Sequence, residues 1–285
     1  MNEQMRETIL RGSRAYPIVL YHLPNEQYSL HAPFHWQDDV EILIITSGTV
    51  ELTLKGEVFP LHCGDIVCIN PGELHSFHAT TPNAGCDIFI FPLEHLLFSH
   101  EDHDQKRFLR PLTEGQLGFP LHINKESTAL ILQAVKLQKE LPTAYELQTK
   151  ALLLQWIVKL AQENSFVPMQ PSKQSDVCKE ILTYISQHYA EPLTVSEVAS
   201  AVGISPTYFS AFFTEHFSQH FVEYLRSIRI EQACALLLDT TLSVTEIALG
   251  VGFSSGSHFI NHFRHTMGMT PLAYRKNKQK TSTSS

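Results

Sequence analysis

A thirteen-residue motif occurs twice in this chain, and the two copies lie 49 residues apart. LTVSEVASAVGIS (193–205) and LSVTEIALGVGFS (242–254) carry the same residue at seven positions: Leu193/Leu242, Val195/Val244, Glu197/Glu246, Ala199/Ala248, Val202/Val251, Gly203/Gly252 and Ser205/Ser254. After one extra residue in the second copy, Phe209 and Phe213 answer to Phe259 and Phe263. Two copies are too few for a solenoid, so the repeat reads as one small module used twice.

Each copy specifies helix, turn, helix. Thr194 with Glu197, and Ser243 with Glu246, form capping boxes that satisfy the free donors of a helix start. A short helix is expected to run to Ala201 or Gly250, and Gly203 or Gly252 supplies the sharp turn, where glycine tolerates positive φ. Ser205 or Ser254 then offers an N-cap, and Pro206 suits a first helical turn. The second helices, about 206–217 and 255–267, bury their phenylalanines. This is the helix-turn-helix arrangement, whose second helix enters a major groove. Between the copies FVEYLRSIRIEQACALLL (221–238) reads as one helix, ~27 Å long at 1.5 Å per residue. It is a rigid spacer close to the ~34 Å of one DNA turn.

The region 177–277 resembles the DNA-binding half of the AraC/XylS regulators. The resemblance rests on the repeat, the spacer YLRSIRIEQACALL and the closing run EIALGVGFSS…HFINHFRHTMGMTPLAYRK. It implies two reading helices in adjacent major-groove segments of double-stranded DNA. Base-facing positions carried over from the family are Thr207, Ser210 and Ala211 in the first copy, with Thr214 as a further DNA-binding position, and Gly256, Ser257, His258 and Asn261 in the second. Ser205, Ser254, Arg264 and Lys276 are the phosphate positions. Family members often place Arg where this chain has Ala211 and Asn261, and Lys where it has Thr214, Glu215 and His265. Without an Arg for guanine the first helix reads little sequence, whereas Asn261 can pair with adenine.

The first half follows another period. PIVLYHL, VEILIIT, TVELTL, DIVCIN and CDIFIFPL alternate with SG, KGE, HCG and NPGE, which suggests an all-β barrel or sandwich. Residues 93–123 read as irregular, and two helices follow at about 125–141 and 143–164, with Pro142 between them. The segments PFHWQDDVEILIITSG and CGDIVCINPGELHSF resemble the cupin-type sensor barrel common at the N-terminus of AraC-family proteins. In metal-dependent cupins two His, a Glu and a further His converge inside the barrel. His35, Glu41 and His75 match that pattern, and Gln37, a poor transition-metal ligand, replaces the other His. The sensor is therefore expected to hold no metal or other cofactor but a small polar metabolite such as a sugar. Phe34 and Trp36 would supply apolar surface and His35, Gln37, Glu41 and His75 hydrogen bonds. The competing reading is a metal-dependent cupin enzyme fused to a helical domain; the preferred one is not an enzyme.

The resulting fold class is α+β in two domains, a cupin-like barrel with two following helices and an all-α double helix-turn-helix. The expected boundaries are 1–164 for sensing and dimerisation, 165–176 for a linker, 177–278 for DNA binding and 279–285 for a disordered tail. The resemblance implies a homodimer joined through the 125–164 helices, whose apolar stripe is Leu147, Leu154, Ile157 and Leu160. Effector is expected to change a lid, either the segment 1–16 or nearby loops, and the occupied protein to act as an activator that meets RNA polymerase at promoters.

Composition constrains these expectations. Net charge is −8, but residues 1–171 carry 12 Lys+Arg against 20 Asp+Glu, whereas 172–285 carry nine of each. The DNA-reading half is thus neutral rather than basic, which limits non-specific attraction to DNA. Five cysteines without a C-x-x-C, a polar N-terminus and the lack of a long apolar run point to a cytoplasmic protein with free thiols and no membrane span.

Overall fold

The structure is a computed structural model that describes residues 15–23, 30–169, 173–217 and 219–281. Among the described residues eight strands build the two main sheets of the first half: β1 (Val19–Leu23), β2 (His31–His35), β3 (Val40–Ser47), β4 (Thr49–Leu54), β5 (Glu57–His62), β6 (Ile66–Ile69), β7 (His75–Ala79) and β8 (Gly85–Phe91). They build two four-stranded sheets of order β1-β8-β3-β6 and β2-β7-β4-β5, antiparallel throughout.

Alternation along the strands makes two cores. Leu43, Ile45, Val50, Leu52, Phe77, Ile88 and Ile90 fill the space between the sheets. Val40, Ile42, Ile44, Phe89 and Phe91 face the other way, onto two long helices. The segment between sheet and helices is more ordered than its composition suggests. A 3-10 turn (Leu93–Leu96), a π turn (Gln105–Leu109), a short helix α1 (Arg110–Thr113) and a strand β9 (Leu117–Gly118) cross it. Phe119 then stacks on Trp156, with ring centroids 4.6 Å apart.

The helices are α2 (Lys125–Glu140) and α3 (Tyr145–Gln162). Asn124 caps α2 by accepting from the Ser127 N–H at 2.8 Å. The apolar stripe of α3 divides. Ile157 and Leu160 are buried against the sheet, whereas Leu147 is 70% exposed and Leu154 half-buried.

The expected linker is corrected. Strand β10 (Val167–Pro168) pairs with β9, and the Met169 N–H donates to the Gln116 carbonyl, so residues 167–169 are tied to the first half. Helix α4 (Lys173–His188) already includes 173–176. Phe166 belongs to the core between sheet and helices, which is why the chain does not leave the surface at 165.

The second half continues with α5 (Val195–Ala201), α6 (Pro206–Phe217), α7 (Phe221–Asp239), α8 (Val244–Gly250), α9 (Gly256–Met267) and α10 (Pro271–Thr281). Both capping boxes form: the Glu197 and Glu246 carboxylates accept from the backbone N–H of Thr194 and Ser243 at 2.7 Å. The second reading helix departs from the repeat, because its N-cap is Ser255, not Ser254. The extra residue of this copy moves the start along by one, and Ser255 accepts from the His258 N–H. Helix α10 runs on to Thr281, into the first residues of the expected tail. Lys and Gln are good helix formers, and cations favour a helix C-terminus. Residues 282–285, and 1–14 of the expected lid, lie outside the described residues. Among the described residues no helix is long and apolar enough to cross a membrane.

Candidate DNA interface and effector site

The two reading helices are built from opposite faces of short amphipathic segments. Phe209 and Phe213 of α6, and Phe259 and Phe263 of α9, are fully buried. Helical spacing then turns Thr207, Ser210, Ala211 and Thr214 outward on α6, and Ser257, His258, Asn261 and Arg264 outward on α9. Ser205, Ser254 and Lys276 are exposed and Gly256 half-buried.

Not every exposed group is free to read a base. Ser210 Oγ donates to the Pro206 carbonyl at 3.0 Å, and Thr214 Oγ1 to the Ser210 carbonyl at 3.0 Å. These hydroxyls keep acceptor capacity only. On α9, His258 and His262 face each other with their Nε2 atoms 2.9 Å apart. Between the two units lies a groove of about 510 Å3, lined by Val222, Arg226, Leu249, Phe253, Ser254 and His258 among others.

In the barrel, Glu41 and His75 reach the inter-sheet space from β3 and β7, beside Gln37 and His35. The Gln37 amide donates to Glu41 Oε2 at 2.5 Å. The His35 Nδ1 meets the Pro33 carbonyl at 2.8 Å, and the His75 Nδ1 the Glu73 carbonyl at 2.9 Å, so both rings are held with Nε2 turned away. The two rings lie 4.2 Å apart, centroid to centroid. Burial alone would raise the Glu41 carboxyl; the nearness and charge of His75, the charge of His35 and the Gln37 amide outweigh it and bring its pKa down to about 2. Burial likewise opposes protonation of His75, but Glu41 raises its pKa above the usual value. Glu41 and His75 thus face each other as a buried acid–base pair, each favouring the charged form of the other.

That pair is open. His75 Nε2 stands 3.7 Å from Glu41 Oε2, beyond hydrogen-bond reach, and among the described residues neither His75 Nε2 nor Glu41 Oε1 has a hydrogen-bond partner. A buried polar atom left so is costly unless a polar group meets it. One donor atom each of His35, Glu41 and His75 lies within 4.8 Å of the others, so these three are also the residues that could hold a metal ion.

Strand β2 and the two residues that follow it look two ways. His35 and Gln37 point to the Glu41–His75 pair; Phe34 and Trp36, on the alternate face, are buried among residues of α4, α5, α6 and α7. The Phe34 ring meets Phe217 edge-on at 5.2 Å, and the Tyr224 hydroxyl donates to the Phe34 carbonyl at 2.9 Å. The barrel thus completes the core of the first helix-turn-helix unit.

Comparison with known proteins agrees with both halves. Residues 17–157 match the model of the AraC-like ligand binding domain, and residues 198–277 that of a helix-turn-helix domain. The chain belongs to the AraC family of transcriptional regulators. A Bacillus subtilis relative, the HTH-type transcriptional regulator YdeC, is 27% identical over 287 residues, covering 97% of each chain. The melibiose operon regulatory protein of Escherichia coli is 28% identical over 268 residues, 86% of this chain and 84% of its own. ToxT from Vibrio cholerae shares the two-domain fold, with a TM-score of 0.51 at 15% identity over 92% of this chain and 98% of that one.

For an AraC-family protein of this sequence, two expected site residues are corrected. Phe34 and Trp36 do not line the barrel; a strand that sends His35 inward must send its neighbours outward, and here they meet the DNA-binding half. The expected polar residues His35, Gln37, Glu41 and His75 are brought together. Sequence reasoning missed Tyr208, 55% exposed on α6, and Arg226, which lines the groove between the units. Arg229 and Arg275 are spent internally: Arg229 donates to the Tyr189 and Glu191 carbonyls, and Arg275 to those of Leu237 and Leu242. This leaves the family's DNA face here still poorer in positive charge.

Proposed function

We propose that this AraC-family regulator reads promoter DNA under the control of a small polyhydroxylated metabolite, such as a sugar, bound beside Glu41 and His75. The observation that supports this reading is the open Glu41–His75 pair. A hydroxyl group donates and accepts at once, so one placed between the two residues accepts from His75 Nε2 and donates to Glu41 Oε1. That the E. coli relative is named for the melibiose operon points to the same ligand class. Regulation without catalysis fits the relatives, and the site then needs no metal.

Occupancy reaches DNA through β2 in this reading. Ligand pulls on His35 and Gln37, and the same segment carries Phe34 and Trp36 in the core of the first reading unit. A ligand that favours one placement of β2 biases the presentation of α6 and α9 toward an arrangement that meets RNA polymerase. Thr207, Ser257, His258 and Asn261 are the base readers we assign; Ser205, Arg264 and Lys276 are the phosphate contacts. The protein acts as a homodimer through the outer face of α3, where Leu147, Ala151, Leu154 and Val158 recur at helical spacing and are exposed or half-buried.

Calorimetry of the full chain with a panel of mono- and disaccharides tests the ligand class. One saccharide is expected to bind, and Glu41→Gln and His75→Gln are expected to weaken it at least tenfold. Equal binding by both variants, or no binding of any saccharide, contradicts the assignment.

A further inference from the structure

The second reading helix carries a feature that DNA recognition alone does not call for. His258 and His262 are four residues apart on a helix of twelve residues, one turn along one face. Their Nε2 atoms are 2.9 Å apart and their ring planes nearly perpendicular, at 86°. At that separation the rings share a single hydrogen: one nitrogen donates and the other presents its lone pair. The Phe253 ring flanks both, with centroids 5.8 and 6.3 Å away, and restricts how far either can swing.

Two nitrogens 2.9 Å apart subtend about 90° at an ion bound through bonds of ~2.0–2.1 Å. That is the angle between neighbouring ligands in square-planar and octahedral complexes, whereas a tetrahedral ion needs a wider one. Histidines at this helical spacing are an established way for a protein to chelate a divalent ion. We propose that His258 and His262 form a two-imidazole site for a late first-row divalent ion of the Ni2+ or Cu2+ class, set on the DNA-facing side of the second reading helix.

The surroundings favour the neutral, ligating form. Partial burial, then Arg226 on α7, then His258 and His265 on the same helix keep the His262 pKa below its usual value. His258 is exposed, and water can complete the coordination sphere. Metal on these nitrogens removes both rings from base or phosphate contact, so an occupied site and a reading His258 exclude each other. The site lies apart from the buried His35, Glu41 and His75 and does not depend on what the barrel binds.

The test is calorimetric titration of the full chain with Ni2+ at neutral pH. Wild type is expected to bind one ion more than either His258→Gln or His262→Gln, and His265→Gln is expected to bind as many as wild type. Circular dichroism and melting temperature are expected to match across the set, since both side chains stand at the surface of α9. Equal stoichiometry and affinity in wild type and both single variants overturns the proposal. So does loss of the ion in His265→Gln with His258→Gln unaffected.

Discussion

The Tyr224 hydroxyl, fully buried in the spacer helix, donates across 2.9 Å to the backbone carbonyl of Phe34 in the barrel. One hydrogen bond therefore ties the helix that separates the two reading heads to the strand that also presents His35. Removing the hydroxyl in Tyr224→Phe leaves the Phe34 carbonyl without this donor. The expected loss is about 1 kcal/mol, measured by urea unfolding. Phe34→Ala empties part of a shared core and is expected to cost about 3–5 kcal/mol. Because the contact joins the two halves, Phe34→Ala is also expected to split a single unfolding transition into two.

The two turn glycines are not equivalent. Gly203 has φ 72° and open space around a prospective Cβ, whereas at Gly252 (φ 91°) that atom would lie 2.8 Å from the Ala190 carbonyl and 2.9 Å from the Tyr189 carbonyl. Gly203→Ala is expected to cost about 1–2 kcal/mol, the penalty of a left-handed backbone. Gly252→Ala adds a clash with backbone that cannot easily give, and is expected to destabilise clearly more. Equal melting temperatures for the two variants contradict this.

The capping boxes predict a matched pair of effects. Thr194→Ala and Ser243→Ala each remove an oxygen that accepts from the N–H of the third helical residue. Each is expected to lose about 1 kcal/mol in denaturant titration. The two losses are expected to add, because they lie in separate units.

Base readers and phosphate contacts differ in their salt dependence. Arg264→Ala and Lys276→Ala are expected to weaken binding to all sequences alike and to lower the slope of log affinity against log salt by about 1 each. Asn261→Ala is expected to leave that slope unchanged and to relax the preference at one base pair, at about 1–3 kcal/mol. Fluorescence anisotropy on a small set of duplexes at several salt concentrations separates the two behaviours.

What the sequence disclosed follows from where local rules govern. The double helix-turn-helix was legible because capping boxes, glycine turns and paired phenylalanines act within a few residues. The strands β2, β5 and β7 were harder to see. HAPFH, EVFPLH and HSFHA carry histidine, proline and glutamate where a strand is usually recognised by its apolar alternation. Grouping His35, Gln37, Glu41 and His75 was possible from resemblance to a barrel, but the outward turn of Phe34 and Trp36 was not. Their burial depends on α4–α7, nearly 150 residues or more along the chain, and no local pattern reports such a contact. The linker was misjudged for a related reason. Val167 and Pro168 look like a spacer until Leu117 and Gly118 offer them a strand to pair with.

The most direct test of ligand-controlled reading is genomic DNA pull-down with the purified full chain, sequenced with and without each sugar of the panel. The account predicts enrichment of a few promoter sites whose occupancy changes with one sugar in wild type and not in Glu41→Gln. Identical enrichment with every compound, or only weak binding that salt erases without regard to sequence, contradicts it.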